Sequence, residues 1–333
     1  MTCSLSVHQI TRYTPYQLSR SNGEKMIKRF QATLKSLFQP KPKASDIEPI
    51  ETEKSVDTKE LTKKPHADVE GKKVGYSSPH IQVGYGLSPG KQRTHNEDAF
   101  FTLTTMFSYN ESELPFGLYV VADGMGGHKN GEIASELAIR TIVGTILNEI
   151  YTPLMSLNPE PSELSFREIF YNGIEKANAE IINNSYGGGT TLTAILVIGD
   201  QMTIAHVGDS RVYSIDTAGN MEALTRDHSL VKRLQELGQI TPEEAAVHPQ
   251  RNVLYRALGQ GEPFEPEIIS TARPESGSLL VCSDGLWSIV GQEGMRAIFK
   301  SGVSPQDRCD RLIDAANDAG GPDNISAIVV EFS

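Results

Sequence analysis

The chain has 333 residues, a formal net charge of −11, 38% hydrophobic residues and 22% charged residues. This composition provides for a packed core and excludes collagen-like, coiled-coil and wholly disordered chains. The longest uninterrupted apolar runs, at 118–122 and 194–198, are far shorter than the roughly 20 residues of a membrane-spanning helix.

Cysteines and the start of the chain indicate the compartment. Cys3, Cys282 and Cys309 are widely spaced and match no zinc or disulfide pattern. The first twenty residues lack the apolar stretch of a secretory signal. We therefore expect a cytoplasmic protein.

The charge is unevenly distributed. Residues 1–80 contain 14 Lys and Arg against 9 Asp and Glu, whereas the remainder contains 17 against 33. Nucleic-acid binding needs clustered positive charge, so the acidic remainder predicts no nucleic-acid partner.

The N-terminal 80 residues are predicted to form a basic tail. Residues 39–80 are rich in Pro, Lys, Glu, Ser and Thr and show no apolar period, which predicts a disordered linker. Residues 24–38 place Ile27, Phe30, Leu34 and Leu37 on one helical face. Such a helix would dock on a partner or a membrane surface, or would form only transiently.

From Ile81 onward, short apolar runs alternate with helical patterns. The predicted strands are Gln82–Leu87, Ala99–Thr104, Gly117–Ala122, Thr191–Ile198, Met202–Val207, Arg211–Ile215, Ser278–Ser283 and Ile325–Phe332. The predicted helices are Glu132–Ile150, Ser165–Asn184, His228–Leu237, Gln292–Lys300 and Pro305–Ala319. Grouped strands favour mainly antiparallel sheets with helices stacked outside, in an α+β fold.

Acidic residues recur at the ends of these strands. VVADG and VCSDG bring strands to Asp123 and Asp284, and each aspartate is followed by a glycine that would permit a sharp turn. The others are Asp209 between two strands, Asp323 before the last strand, and Glu97 and Asp98 ahead of an early strand. Each alone is typical of a turn or a cap, but clustered carboxylates require a multivalent cation between them. Ligation by oxygen alone indicates Mg²⁺ or Mn²⁺ rather than zinc.

Eight segments in order carry a family resemblance. Arg93 ahead of Glu97-Asp98 is followed by VVADGMGGHKNGEIAS, GGGTTLTAILV, IAHVGDSRVYSI, LTRDHSL, LYRALG, VCSDGLW and GGPDNISAIVV. Together they resemble the metal-dependent serine/threonine protein phosphatases (PPM, type 2C) in their bacterial form, over about residues 81–333. The resemblance implies a four-layer αββα sandwich of two mainly antiparallel sheets flanked by helices.

The resemblance also implies roles for individual residues. Asp123 would bridge two core metals and Gly124 would offer its carbonyl to one of them, while Asp284 and Asp323 would complete the other site. Asp209, with Asp284, would hold a looser third ion. Glu97 and Asp98 would hold metal-bound waters. Arg93 would grip the phosphate through its planar fork, unless it forms an ion pair with Glu97 or a neighbour.

The implied reaction is hydrolysis of phosphoserine and phosphothreonine in proteins. A water activated by two metals would attack phosphorus and expel the alkoxide, without a covalent phosphoenzyme. Cys282 is therefore interpreted as a small buried hydrophobe. Met125 stands where many eukaryotic relatives have a histidine that is thought to protonate the leaving oxygen. The general acid is thus unassigned; His95 and His128 lie nearby in sequence, and a metal-bound water is another candidate.

Two further segments receive an interpretation. The region at about 230–252 looks like the flap of the bacterial branch, a helical insertion that would control substrate access or would merely cover an edge. GGGTT at 187–191 lacks the context of a phosphate-binding loop and is interpreted as a tight turn.

We expect a monomeric enzyme that opposes bacterial serine/threonine kinases and acts on their phosphorylated substrates. The alternative is a catalytically silent scaffold of the same fold that binds phosphoproteins. The signature of such a scaffold would be the loss of a metal aspartate, and Asp123, Asp284 and Asp323 are all present.

Overall fold

The computed structural model describes residues 81–109, 112–126, 129–156, 162–260 and 265–333. The predicted tail, linker and helix at 24–38 lie outside these residues, as does His128. No helix among the described residues combines the length and the apolar character needed to cross a bilayer.

Eleven strands and six helices are found in the described part of the chain. The strands are β1 (Ile81–Ser88), β2 (Asp98–Tyr109), β3 (Ser112–Met125), β4 (Gly189–Thr190), β5 (Leu192–Ile198), β6 (Gln201–Val207), β7 (Arg211–Ile215), β8 (Met221–Ala223), β9 (Glu267–Ala272), β10 (Gly277–Cys282) and β11 (Ile325–Phe332). The helices are α1 (Lys129–Ile146), α2 (Phe166–Asn184), α3 (Leu230–Glu236), α4 (Pro242–Ala246), α5 (Asp284–Phe299) and α6 (Pro305–Asp318). A π-helical stretch, Leu147–Tyr151, and a last turn, Thr152–Leu154, continue α1.

The strands form two antiparallel sheets. The first has the order β1-β11-β10-β7-β8, and the second has the order β2-β3-β5-β6-β9 with β4 paired to β3. Their inner faces pack together through residues such as Tyr119, Ile195 and Ile204 on the second sheet and Val281 and Ile328 on the first. Along each strand, side chains that point toward the other sheet alternate with side chains that point toward the helices.

Helices cover both outer faces, so the predicted four-layer α+β sandwich is confirmed. On the first sheet, Leu286 and Phe299 of α5 and Leu312 of α6 share one buried cluster with Leu280 and Val329. The helices α1 and α2 bury Ile142, Ile146, Phe170 and Ile174 on the other side. Because both faces of each sheet are covered, the connecting loops lie at the two ends of the sandwich, where the strands end.

Several predicted boundaries differ from the structure. The predicted helix Gln292–Lys300 corresponds to the second half of α5, which follows a break at Gly291 with a φ of 68°. The first half, which begins at Asp284, was not predicted. Strands β2 and β3 pair as far as Tyr109 and Ser112, well beyond their predicted ends. Strand β9 was not predicted, since only Ile268 of its side chains is buried and no apolar alternation results.

Side-chain caps define the starts of α4 and α6. Thr241 accepts from the Glu244 amide and the Glu244 carboxylate accepts from the Thr241 amide, which is a complete capping box at the start of α4. Ser304 accepts from the Asp307 amide ahead of Pro305 in α6.

Candidate active site

A cavity of about 220 Å³ opens where strand ends of both sheets meet. Asp123 and Gly124 come from the end of β3, Asp209 from the β6–β7 turn, Asp284 from the start of α5 and Asp323 from the loop before β11. The complete lining is Arg93, Glu97, Asp123, Gly124, Met125, Gly126, Thr191, Asp209, Asn252, Leu254, Asp284, Asp323 and Asn324. Of the predicted site residues, only Asp98 is absent from this lining. It lies buried at the start of β2, directly across from Asp123.

The glycines that follow the two aspartates serve close approach rather than a sharp turn. A Cβ on Gly124 would collide with the carbonyl oxygen of Gly131, and one on Gly285 would collide with that of Asn324. The expectation of a turn was therefore wrong: β3 continues through Gly124, and Gly285 lies inside α5. Both glycines instead let neighbouring backbone pass beside the aspartates.

Hydroxyl groups fix the backbone around Asp123. Thr191 accepts a hydrogen bond from the Asp123 amide through Oγ1 (3.0 Å), and its own amide donates to the Asp123 carbonyl (2.9 Å). Thr190 Oγ1 donates to the same carbonyl at 2.9 Å. The GGGTT segment thus does more than turn before a strand, because its two threonines hold the end of β3 in place.

Asn324 orders the segment that carries Glu97. Its Oδ1 accepts from the Glu97 amide at 2.8 Å, and its Nδ2 donates to the carbonyls of Pro89 and His95 at 3.0 and 2.9 Å. The side chain is buried, so these three bonds satisfy an amide that would otherwise be stranded. Sequence reasoning assigned no role to Asn324; its position directly after Asp323 was the only signal.

Burial raises the pKa of four carboxyl groups at or beside the cavity, those of Asp98, Asp123, Asp209 and Asp284. The pKa of Asp98 rises to about 7 and that of Asp284 to about 6, with burial as the main cause. Burial also raises the pKa of Asp123 and Asp209 well above the usual value, and the charges of neighbouring aspartates add to the effect. Because these four acids lie close together, a cation among them would stabilise their charged state.

Asp98 and Asp323 each have a side-chain partner in the structure. Asp98 Oδ2 accepts from Ser326 Oγ at 2.6 Å, whereas its buried Oδ1 has no partner. Arg93 Nη2 forms an ion pair with Asp323 Oδ2 at 2.8 Å. The alternative interpretation of Arg93 as one half of an ion pair is therefore what the geometry shows, with Asp323 as the partner.

No group of three or more His, Cys, Asp or Glu side chains in the described ranges has the arrangement of a formed metal site. The donor set nevertheless fits hard divalent cations, because it consists of carboxylate and backbone oxygens around an open cavity. The unpartnered, buried Oδ1 of Asp98 is the kind of atom that a cation or its water would satisfy.

Of the two histidines considered as the general acid, His128 lies outside the described residues, which leaves only His95 to be compared with the cavity. His95 is exposed and does not line it, and Met125 takes part in the wall with its sulfur near Gln260 Nε2 at 3.4 Å. The region predicted as a flap contributes Asn252, and Leu254 follows it in the wall.

Comparison with known proteins identifies the family of this chain. The family model described as "Protein phosphatase 2C" matches residues 85–325. The serine/threonine phosphatase stp of Listeria innocua is 37% identical over 251 residues, which cover 73% of this chain and 92% of that protein. A solved serine/threonine phosphatase from S. agalactiae has a TM-score of 0.60 at 33% identity, covering 75% of this chain and 99% of that one.

A further solved structure is the catalytic domain of the serine threonine protein phosphatase PstP in complex with two manganese ions. It has a TM-score of 0.59 at 28% identity and covers 77% of this chain and 99% of that one. With a family match over most of its length, the chain belongs to the protein phosphatase 2C family.

Proposed function

We propose that this serine/threonine protein phosphatase acts through divalent cations, Mg²⁺ or Mn²⁺, held by the carboxylates that line the 220 Å³ cavity. The observation that carries the proposal is the meeting of Asp123, Asp209, Asp284 and Asp323 with Arg93 at one opening. The two manganese ions of the PstP relative support it.

The residues would divide the ligand work as follows. Asp123, the Gly124 carbonyl, Asp284 and Asp323 would hold two core ions, and Asp209 together with Asp284 would hold a third. Glu97 and Asp98 would orient bound water. When bound, such ions lower the pKa of water enough to supply a nucleophile near neutral pH, and they neutralise phosphate charge.

Arg93 would bind the phosphate once a cation takes its place at Asp323. Its side chain is about half exposed at the cavity, so the guanidinium can turn toward a substrate without unfolding its surroundings. The two parallel N–H groups of a guanidinium match two phosphate oxygens. Arg93 thereby holds the phosphorus beside the carboxylates while the P–O bond to serine or threonine breaks.

Phosphorylated proteins are the substrates, and we propose that they are those of bacterial serine/threonine kinases. A comparison of phosphoserine and phosphothreonine levels with and without the protein would identify them. The scaffold alternative is not favoured, because every proposed ligand position retains its oxygen donor.

The domain organisation is also a proposal. Residues 81–333 would form the phosphatase unit, and the basic residues 1–80 would direct it to a partner or a membrane surface. Deleting 1–80 should leave hydrolysis of a small aryl phosphate unchanged and alter location or protein substrate choice. Complete loss of hydrolysis would contradict this division. The monomeric state is likewise proposed and can be checked by light scattering.

The direct test is release of phosphate from a phosphothreonine peptide as Mn²⁺ is added. Asp284→Asn should lower the rate by more than about a hundredfold, since even outer partners of a metal centre are worth 10–100-fold. Asp314→Asn, an exposed aspartate on α6, serves as the matched control and should keep full activity. Full activity in excess EDTA would contradict the cation proposal.

A further inference from the structure

The turn that carries Asp209 is held from behind by an aromatic side chain. Trp287 Nε1 donates to the Asp209 carbonyl oxygen at 2.9 Å. Trp287 lies in the first turn of α5, three residues after Asp284. One indole therefore connects the backbone of Asp209 with the helix that begins at Asp284.

Arg211 locks the indole in position. Its guanidinium carbon lies 3.4 Å from the centre of the Trp287 ring, a stacked cation–π arrangement. The same guanidinium makes a two-pronged ion pair with Asp227, with Nε–Oδ1 at 2.8 Å and Nη2–Oδ2 at 2.6 Å, and Nη1 donates to the Tyr213 hydroxyl at 2.9 Å. Burial opposes the charge of Arg211, but the bonds to Asp227 outweigh it and raise its pKa.

Asp227 lies just before the predicted flap region, which begins at about residue 230. The next residue, His228, donates its amide to the Gly208 carbonyl at 2.7 Å and accepts the Gly208 amide on Nδ1 at 3.2 Å. The amide and the carbonyl of Gly208, the residue before Asp209, are thus both bonded to His228. We call the segments 228–230 and 253–255, between which the flap extends, the flap base.

Hydrogen bonds join the two segments of the flap base to each other. Ser229 caps α3, the Leu230 amide donates to the Val253 carbonyl, and the Tyr255 amide donates to the His228 carbonyl. Leu254, which lies between Val253 and Tyr255 in the sequence, lines the active-site cavity. Continuous hydrogen bonds therefore run from the Asp209 turn to the cavity wall that the flap supplies.

We propose that Arg211 is a positioning residue that clamps the Asp209 turn to the base of the flap, so that the geometry of Asp209 and the position of Leu254 depend on each other. Its significance for cation binding rests on the proposed function, in which Asp209 is a ligand. The clamp itself is a statement about contacts within this chain.

The clamp explains why arginine is needed at this position. A lysine could keep one charge contact with Asp227, but it has neither the second prong nor a plane to stack on Trp287. Loss of charge-assisted hydrogen bonds of this kind corresponds to about a tenfold change in an equilibrium constant or more.

The test is hydrogen–deuterium exchange of the full-length, metal-free chain carrying Arg211→Lys. We expect about tenfold faster exchange in the segments 207–210 and 228–255, with β10 and β11 unchanged. Asp227→Asn should reproduce the pattern, and the double variant should add little, because both changes remove the same contact.

Arg308→Lys is the matched control. Arg308 is also a buried arginine that pairs with a carboxylate, Glu331, at 2.6 Å and lies over an aromatic ring, that of Phe299. It is located at the end of the same sheet where β10 begins, away from Asp284. Exchange in 207–210 and 228–255 should keep its parental rate in this variant.

A second readout connects the clamp to cation binding. The Mn²⁺ concentration at half-maximal thermal stabilisation should rise about tenfold in Arg211→Lys, as in the reference variant Asp209→Asn, and the KM for a phosphopeptide should rise more than kcat falls. No shift in Asp209→Asn would contradict the proposed role of Asp209 and leave the exchange experiment to decide the clamp. Parental exchange in both segments of Arg211→Lys, or acceleration spread equally over β10 and β11, would overturn the clamp.

Discussion

Asp98 and Asp123 lie directly opposite each other at the ends of β2 and β3. Directly opposed like charges destabilise an antiparallel pair. Burial and the charges of neighbouring aspartates raise both pKa values, which favours the protonated forms that do not repel each other. Positive charge beside the pair would therefore stabilise its ionised form, at the place where a phosphatase of this family would use such a charge.

The first prediction concerns the pH dependence of the free energy of unfolding in the metal-free chain. Because the pKa of Asp98 is raised to about 7, its contribution to stability is complete below the unfolded value near 4 and is lost as the pH rises through 7. Asp98→Asn removes this dependence. Relative to the parent, its free energy of unfolding in EDTA should therefore increase by about 2 kcal/mol between pH 5.5 and 8.5.

Urea denaturation at both pH values measures this change, and comparison with the parent cancels the titration of other groups. The relative gain should shrink when Mn²⁺ is present, since a cation stabilises the ionised carboxylates of the parent. A difference that stays constant from pH 5.5 to 8.5 would show that Asp98 does not titrate in this range.

The second prediction tests the threonine behind Asp123. Thr191→Val keeps the shape but removes the oxygen that accepts the Asp123 amide and contacts Ser210 Oγ at 2.8 Å. We expect phosphatase activity to fall about 10–100-fold, as for other partners that orient metal ligands. Thr203→Val is the control, because the Thr203 hydroxyl contacts only Ser270 Oγ among the described residues and lies in β6, which pairs with the strand that follows Thr191. Equal activity of the two variants would remove Thr191 from the positioning apparatus.

The sequence predicted the sandwich and the acidic strand ends well, for physical reasons that are local. Buried strands such as Leu192–Ile198 contain uninterrupted apolar runs, and an aspartate that follows such a run is conspicuous. Their meeting at one cavity was inferred in part from their recurrence and in part from the family resemblance, because strand order is set by contacts between distant residues.

The supporting residues were not predictable in this way. Thr191 and Asn324 look like ordinary turn residues, and their roles depend on partners 68 and 227 positions away in sequence. Gly131 is a similar case, because only the structure shows that a Cβ there would collide with the Glu97 carboxylate. Spacing along the chain contains no information about such approaches.

The third prediction concerns Arg93. Arg93→Lys keeps the charge beside Asp323 but removes the fork, so the KM for a phosphothreonine peptide should rise about tenfold while the metal requirement is retained. Arg140→Lys is the control, as Arg140 is exposed and pairs only with Glu136 on α1 among the described residues. A KM equal to that of the parent would leave Arg93 as a partner of Asp323 alone.

The last prediction concerns acid stability and a buried imidazole. His206 is fully buried, with Nδ1 2.9 Å from Thr193 Oγ1 and Nε2 3.2 Å from the Arg226 carbonyl oxygen. Burial lowers its pKa to about 4, so the unfolded chain binds the proton first. The stability that the neutral ring provides is therefore present above about pH 6.5 and is lost as the pH falls toward 4. Between pH 7.5 and 4.5 the parent should lose about 2 kcal/mol more unfolding free energy than His206→Gln. Urea unfolding of the metal-free proteins measures the difference, and parallel pH profiles would contradict a neutral His206 in the folded state.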